Sequence, residues 1–447
     1  MGLRKVWRKV RSLAQRQHNL LAISDLHLGC DLRPGARFDK PRPADPYLIS
    51  FLDWHAANRR DGKPWRLILD GDIVDFVAIT LVPAEAPFEI SAEERRIGLV
   101  PTEPKCVWKL RRTAERHREV FDALARFVQK GNSVHIIRGN HDSEWRWPAV
   151  QEELRRVLAE RGARRPDRLV HFHDWFYLEP GFFYAEHGHA HDPYSVQSEF
   201  FEEQRGEEIQ LPLSSKVLRY FANRYTEQVE LPDDVDAWGL REYIDWVLRA
   251  GNPLRVAADY FVMVFRVIYP IFRQALKFTR ATRPPKATQI HQLRSIASRP
   301  AEQSLFDSMQ LFYLDRMLLA LLCLVCAWST SAALEGFWAK GAALTGVGIA
   351  FAAVNALLGR SRRTDAHPML QEAARRVAQV LDVKYIVMGH SHRALEQGVG
   401  NGTRYFNLGA WTGRAADGFC HVVVTAGSAE LRRWKGPGAM ELPLQAA

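Results

Sequence analysis

The sequence predicts an α/β fold with central sheets, interrupted by a long helical segment. Short apolar or β-branched runs alternate with amphipathic stretches over residues 19–200 and again after residue 371, a pattern typical of buried strands separated by helices. Polar motifs directly follow several of these runs, as expected for a site at the carboxyl ends of sheet strands. Residues 201–370 break the rhythm, because they are helical in pattern and rich in aromatic and aliphatic side chains.

The predicted elements follow in chain order. Before the helical segment, strands are predicted at Leu20–Ser24, Leu67–Asp70, Val134–Ile137, Leu169–Phe172, Trp175–Leu178 and Phe182–Ala185. Helices are predicted there at Pro46–Ala57, Lys105–Lys130 and Pro148–Glu160. After it, strands are predicted at Tyr385–Met388, Tyr405–Leu408, His421–Thr425 and Glu430–Trp434. A chain of 447 residues is long enough for one such domain plus an insertion.

The composition is that of a folded, basic protein. Its 61 Lys and Arg residues exceed its 51 acids, giving a net charge of +10. This charge suits nucleic acid or an anionic membrane and does not separate the two. The five cysteines are odd in number and scattered, so a disulfide framework is not expected.

Residues 1–18 combine apolar residues at helical spacing, from Leu3 to Ala14, with six basic residues. Two interpretations stay open: a basic amphipathic helix on an anionic membrane surface, or a solvated tail. No apolar stretch of the signal-peptide type follows these charges, so no signal peptide is expected.

Two uncharged apolar runs, Met317–Leu334 and Gly341–Gly359, lie in the helical segment. Each is long enough to cross a bilayer, which takes about 17–25 residues. We predict a membrane hairpin over residues 317–359; the alternative is a hydrophobic hairpin buried in a soluble helical domain. The outer ends are basic, with Arg316 before the first run and Arg360, Arg362 and Arg363 after the second. The positive-inside rule places these ends in the cytoplasm.

Five polar motifs carry the chemistry: Ser24-Asp25-Leu26-His27, Gly71-Asp72, Gly139-Asn140-His141-Asp142, His187-Gly188-His189 and Gly389-His390-Ser391-His392. Taken singly, each has an ordinary explanation as a turn or a loop. Together they supply carboxylate, amide and imidazole groups in the mixture that divalent cations need. No packing requirement needs that mixture.

With these motifs the chain resembles the calcineurin-like metallophosphoesterase family, over roughly residues 19–200 and 380–447. The resemblance implies a layered αββα sandwich, two divalent metal ions, and hydrolysis of a phosphoester or pyrophosphate bond by a two-metal-activated hydroxide. It implies that one metal is held by Asp25, His27, Asp72 and His392. It implies that the other is held by Asp72, Asn140, His187 and His390, with Asp72 as the bridge. Nitrogen and oxygen donors without thiolate suit Mn, Fe or Zn, with Mn favoured.

The resemblance also implies a catalytic pair. His141 is expected to face the leaving oxygen as a general acid or a charge stabiliser, and Asp142 to orient its imidazole. His189 and Asp192 are candidates for groups that orient the ligands. Asp75 is expected only to position its own loop. Arg138 is expected to contact phosphate or to form a structural salt bridge.

Two stretches, residues 24–29 and 405–411, resemble the branch that contains UDP-2,3-diacylglucosamine pyrophosphohydrolases, which act on a lipid A precursor at the membrane surface. The chain departs from that branch at His141, where those enzymes have Arg, and in its larger, more apolar insertion.

We therefore expect a phosphorylated lipid or lipid-linked substrate, and a membrane-associated protein with its catalytic domain in the cytoplasm. Nucleic acid is not favoured, because much of the basic charge flanks apolar segments. The alternatives are a phosphodiesterase or nuclease with a soluble substrate, and a non-enzymatic membrane scaffold that retains the fold.

Overall fold

The computed structural model describes residues 17–35, 42–202, 204, 206–225, 240–275, 289–362, 364–412, 418–425, 428–436 and 442–443. Within them the strands are β1 (Asn19–Ile23), β2 (Trp65–Asp70), β3 (Ser133–Ile137), β4 (Val170–His173), β5 (Phe176–Glu179), β6 (Phe183–Glu186), β7 (Tyr385–Met388), β8 (Leu395–Gly400), β9 (Thr403–Asn407), β10 (Phe419–Val424), β11 (Ala429–Trp434) and β12 (Leu442–Pro443). One sheet has the order β12-β11-β10-β1-β2-β3-β4 and the other β5-β6-β7-β9-β8.

Helices flank both sheets and fill the insertion. Those before the insertion are α1 (Asp45–Ala57), α2 (Glu94–Ile97), α3 (Glu103–Arg116), α4 (Arg118–Gln129), α5 (Pro148–Glu160) and α6 (Pro166–Leu169). Those that follow are α7 (Leu213–Tyr220), α8 (Leu240–Arg249), α9 (Pro253–Ala275), α10 (Gln289–Ile296), α11 (Leu305–Leu311), α12 (Leu314–Ala333), α13 (Phe337–Ser361) and α14 (Ala366–Val380).

The layers follow from the two-residue periodicity of the strands. In β1, Leu21 and Ile23 face a core shared with α1, α4 and α5, whereas Leu20 and Ala22 face the second sheet. Helix α14 covers the outer face of the second sheet. Strands β1 to β4 pair in parallel, as do β6, β7 and β9. The predicted α/β fold with two central sheets is therefore confirmed.

The predicted helix Lys105–Lys130 is wrong as a single element, because α3 ends at Arg116, α4 begins at Arg118, and His117 between them is not helical. Its imidazole is held from two sides: Nδ1 lies 2.7 Å from the Asp45 carboxylate, and Nε2 accepts the Gly29 amide at 3.0 Å. This anchoring favours the non-helical backbone of His117. Strand β8 was not predicted, since its sequence contains two glycines and alternates weakly.

The insertion is tied to the sandwich and has its own core. Tyr194 packs in a buried cluster with residues of α7, α9 and α11. Arg219 of α7 donates to the carbonyls of Leu99 at 2.8 Å and Gly98 at 2.7 Å. The division into units at residues 19–200, 201–370 and 371–447 stays a prediction. Of the N-terminal helix predicted over residues 1–18, residues 1–16 lie outside the described part of the chain.

Helices α12 and α13 form the hairpin predicted over residues 317–359, and they pack along each other. Both are long and apolar enough to cross a membrane, and neither apolar window is buried against the rest of the described chain. Length and composition alone are weak evidence of a membrane span, since helices of soluble proteins satisfy the same criteria.

Candidate metal centre

All five polar motifs meet at one edge of the two sheets. The first three follow β1, β2 and β3, and the last two follow β6 and β7. Because parallel strands end at a common edge, the loops after them converge. The amide of His390 donates to Asp25 Oδ2 at 3.1 Å, and the amide of His141 donates to Asp72 Oδ1 at 2.8 Å.

Five of the seven proposed ligands have a left-handed backbone: Asp25, His27, Asp72, His390 and His392, with φ between 45° and 64°. Such a conformation costs a non-glycine residue on the order of 1 kcal/mol or more. Clustering of this strain in one set of loops is typical of a functional site.

The motif glycines permit the loops to approach each other. A Cβ added at Gly139 would collide with the Asp72 side chain, and one at Gly389 would collide with Ser24 and Asp25. Gly71, at φ 81°, would collide with the ring of His187 and has a backbone that favours glycine. These glycines therefore set the distances between ligands.

The ligand set proposed for the first metal is close together. Asp25 Oδ1 lies 3.0 Å from His392 Nε2 and 3.9 Å from His27 Nε2. His27 Nε2 lies 3.9 Å from Asp72 Oδ2. These separations suit a cation that three or four groups share, and Asp25, His27 and His392 form one convergent group of donor atoms.

The set proposed for the second metal is assembled in part. His187 Nε2 lies 3.3 Å from Asp72 Oδ2, and these two residues converge with Asp25. The His390 ring lies 5.3 Å from the His187 ring, but its Nε2 contacts Asp192 Oδ2 at 3.0 Å. His390 therefore has only Nδ1 left for a cation.

Three buried side-chain atoms at this site have no hydrogen-bond partner among the described residues, which indicates whether a cation fits. Within the described residues no hydrogen bond reaches His27 Nε2, Asn140 Oδ1 or His187 Nε2. Leaving a buried polar atom unpaired costs about 1–3 kcal/mol. Because all three are ligand-type atoms with lone pairs, the residues present fit a pair of divalent cations.

Neighbouring groups fix the orientation of the imidazoles. His187 Nδ1 lies 2.7 Å from the carbonyl oxygen of Asp70, and His27 Nδ1 lies 3.0 Å from Asp75 Oδ2. Each contact directs Nε2 toward the site, as is common for metal-binding histidines. His390 is oriented the other way round: Asp192 Oδ2 contacts its Nε2 at 3.0 Å, which leaves Nδ1 for the site.

The electrostatics favour charged side chains despite burial. Burial raises the pKa of Asp72, but His187 and His141 lower it more, so it lies well below its usual range. Burial lowers the pKa of His187, but Asp72 and Asp25 raise it to about 10. An imidazole must lose its proton to bind a metal, so binding here releases a proton and weakens at acid pH.

The predicted role of Asp142 is wrong in this structure. Its Oδ1 accepts the Gly139 amide at 2.6 Å and its Oδ2 accepts the Ile73 amide at 2.7 Å, so it joins two loops. The carboxylate that meets His141 is that of Asp75, whose Oδ1 lies 3.0 Å from Nδ1. Burial lowers the pKa of His141, but Asp75 and Asp72 raise it to about 10.

Sequence reasoning therefore missed the part played by Asp75, which contacts both His27 and His141. A signal was present, since Asp75 lies three residues after the proposed ligand Asp72, in the same loop. Among the described residues Arg138 forms no salt bridge: its buried guanidinium donates to Gln197 at 2.8 Å and lies over the Phe200 ring. Buried His189 lies 5.4 Å, ring to ring, from His187.

A protein-family model matches this chain, and two solved structures are similar to it. The family model described as calcineurin-like phosphoesterase matches residues 18–251, more than half of the chain. No curated protein matches. Among solved structures, the chain is similar to a dimetal phosphatase from Danio rerio, at 12% identity and a TM-score of 0.33, over 97% of this chain and 100% of that one. It is also similar to phosphopantetheinyl hydrolase from Mycobacterium tuberculosis, at 14% identity and a TM-score of 0.23, over 88% and 90%. The match of the family model, over loops that meet as a two-metal site requires, shows that the chain belongs to the calcineurin-like phosphoesterase family and is a hydrolase.

Proposed function

We propose that the protein hydrolyses a phosphoester or pyrophosphate bond of a phosphorylated lipid or lipid-linked substrate at a membrane surface. The observation that carries the proposal is the exposed apolar hairpin, which belongs to the same chain as the metal-ligand loops. The 20 residues of α12 extend about 30 Å as a helix, which is about the thickness of the hydrocarbon core of a bilayer.

Helix α9 supports the same setting because it has two apolar faces. One face, with Val264 and Ile271, is buried in the insertion. The other is aromatic and between 46% and 68% exposed: Phe261, Phe265, Tyr269 and Phe272. Aromatic side chains beside arginines are typical of helices that lie in a membrane interface. Exposure of this aromatic face to water is unfavourable, and a bilayer in contact with α9 would cover it.

Each residue of the site then has a task. Two divalent cations, for which the donor set favours Mn, would polarise a water and neutralise charge on the phosphoryl group. Asp25, His27 and His392 would hold one cation, Asn140, His187 and His390 would hold the other, and Asp72 would contribute to both. His141, held at Nδ1 by Asp75, is proposed to donate a proton from Nε2 to the leaving oxygen.

The orientation follows from charge. Arg316 and Arg360 lie at the outer ends of the hairpin helices, on the side that leads back to the sandwich. The positive-inside rule therefore supports the proposal that the metal site lies in the cytoplasm. Because residues 24–29 and 405–411 resemble UDP-2,3-diacylglucosamine pyrophosphohydrolases, a nucleotide-lipid pyrophosphate is one substrate to include in a test.

The test uses the full chain in lipid nanodiscs with added Mn. The substrates are p-nitrophenyl phosphate, its bis ester, and two lipids, phosphatidic acid and a nucleotide-lipid pyrophosphate, each compared with its short-chain soluble analogue. We expect one lipid to be hydrolysed with a kcat/KM at least about tenfold above that of its short-chain soluble analogue, because the bilayer concentrates it at the site. Equal or faster hydrolysis of the soluble analogue, or of a dissolved diester, would support the alternative of a soluble-substrate phosphodiesterase.

A further inference from the structure

A cleft of about 730 Å³ lies at the base of the hairpin, where α12 begins and α13 ends. Arg316 and Gly359 line it from the hairpin, and Arg362 lines it just after α13. The opposite wall is the first part of α14, up to Arg376. Its volume lies in the range of pockets that hold small molecules.

Two guanidinium groups in this cleft have no anionic partner. Arg316 makes a long contact of 3.4 Å with Asn355 Oδ1, and Arg362 donates to the Tyr313 hydroxyl and lies 3.9 Å over its ring. Among the described residues, no carboxylate lies within 4.0 Å of either guanidinium. The positive charges of Arg316 and Arg362 are therefore available to a ligand.

The acidic groups of the cleft are already neutralised. Asp365 Oδ2 lies 3.1 Å from Arg393, and the Glu372 carboxylate lies 3.2 Å from both Arg375 and Arg376. The third arginine of the cleft, Arg376, is thus paired, whereas Arg316 and Arg362 are not. An anion entering the cleft would meet two unpaired cations and no unpaired carboxylate among these groups.

The cleft shares a wall with the metal centre. His191 lines it, and the next residue, Asp192, contacts the proposed ligand His390. On the other wall, α14 carries His367, whose Nδ1 lies 3.0 Å from Ser391 Oγ in the metal-ligand loop. A residue that lines the cleft is thus the sequence neighbour of a residue that contacts a proposed metal ligand. A molecule bound in the cleft would therefore lie close to the metal-ligand loops.

We propose that this cleft binds the phosphate headgroup of an anionic membrane lipid and thereby seats the metal centre against the bilayer. The inference rests on the proposed insertion of the hairpin, since the ends of a membrane-spanning helix lie at the depth of the headgroups. Arginine suits this task because its planar fork of donors matches two phosphate oxygens.

The test measures binding of dioctanoyl phosphatidic acid to the full chain, freed of metal by a chelator and kept in a neutral detergent. We expect Arg316→Gln and Arg362→Gln each to weaken binding roughly tenfold or more, because each removes a charge-assisted contact. Arg360→Gln is the matched control: Arg360 is exposed near the same end of the hairpin but does not line the cleft. We expect it to change binding by less than about twofold.

Three outcomes would overturn the proposal. Equal weakening by all three substitutions would indicate diffuse attraction to the hairpin base. Inorganic phosphate that binds as tightly as the lipid would show a simple anion site, and dioctanoylglycerol that binds equally would show that the phosphate is not recognised. Thermal melting checks that each variant is folded. If Arg362→Gln does not fold, the binding result for Arg316→Gln decides whether the proposal stands. The binding test involves neither metal nor turnover. Headgroup binding in the cleft can therefore be disproved while the proposed lipid hydrolysis is retained, and lipid hydrolysis can be disproved while headgroup binding is retained.

Discussion

In the sandwich a group of buried carboxylates and imidazoles surrounds one point, whereas in the hairpin large apolar side chains are exposed. Asp25, Asp72 and His187 are at most 1% exposed. Trp328 and Trp338 of the hairpin are 74% and 85% exposed. Each arrangement is unfavourable for a chain in water alone, because one removes polar atoms from water and the other exposes apolar area.

The comparison indicates that the two regions suit two different environments. The buried carboxylates and imidazoles have the composition and spacing that divalent cations satisfy. The exposed aromatic and aliphatic side chains of α12 and α13 have the length and composition that a bilayer satisfies. The first is supported by family membership and geometry, and the second is the proposal. Changes that remove metal binding but not membrane attachment, or the reverse, test whether the two regions function independently.

The largest effect is expected from Asp72→Ala, which removes the proposed bridge between two cations. Each cation supplies several kcal/mol of charge stabilisation, so we expect kcat/KM on p-nitrophenyl phosphate to fall on the order of 10⁴-fold. Mass spectrometry of the purified variant should find both metals lost. Asp53→Ala, which removes an exposed acid of α1, should leave both quantities unchanged. Retention of two metals by Asp72→Ala would exclude the bridging role.

The next effect concerns His141, which lies in the sandwich and contacts Asp75. We expect His141→Ala to retain metal and to lose roughly 10²–10⁴ in rate, as for removal of a general acid. The loss should shrink for aryl phosphates with better leaving groups, because these need no proton. A loss that is equal for all leaving groups would indicate a structural role for the ring.

A smaller effect separates the two carboxylates near His141. Asp75→Asn weakens the hold on two imidazoles, so we expect a loss of roughly 10–100-fold that depends on the leaving group. Asp142→Asn disturbs acceptance of two backbone amides. We therefore expect it to lower the free energy of unfolding by about 1–3 kcal/mol, without leaving-group dependence. The reverse result would restore Asp142 as the residue that orients His141.

The metal-ligand motifs and their strands could be predicted from the sequence, because they depend on local residue types. The features that depend on contacts between distant parts of the chain could not. Cation ligands allow few residue types, so the five motifs and the strands before them could be recognised. The contact of Asp75 with His141 spans 66 positions, and the contacts that accompany the break between α3 and α4 span 72 and 88. The amphipathic pattern continues through His117, so no periodicity there could reveal the break.

The smallest effect on catalysis is expected from removing the hairpin. Replacing residues 319–354 by a short Gly-Ser linker keeps Arg316 and Asn355, and α12 and α13 lie side by side, so their cut ends are close enough to join. The hairpin adds no side chain to the buried clusters of the sandwich. We therefore expect hydrolysis of p-nitrophenyl phosphate to stay within about threefold.

The same truncation should change the distribution of the protein between membrane and supernatant. We expect the full chain to stay with the membrane pellet through high-salt and carbonate washing, since insertion of two apolar helices is not reversed by charge screening. The truncated chain should be released by one of these washes, because only the interfacial face of α9 and basic charge would hold it. If both forms are released, the hairpin is a buried element of a soluble assembly. If the truncated form loses its activity on the soluble substrate, the two regions are not separable.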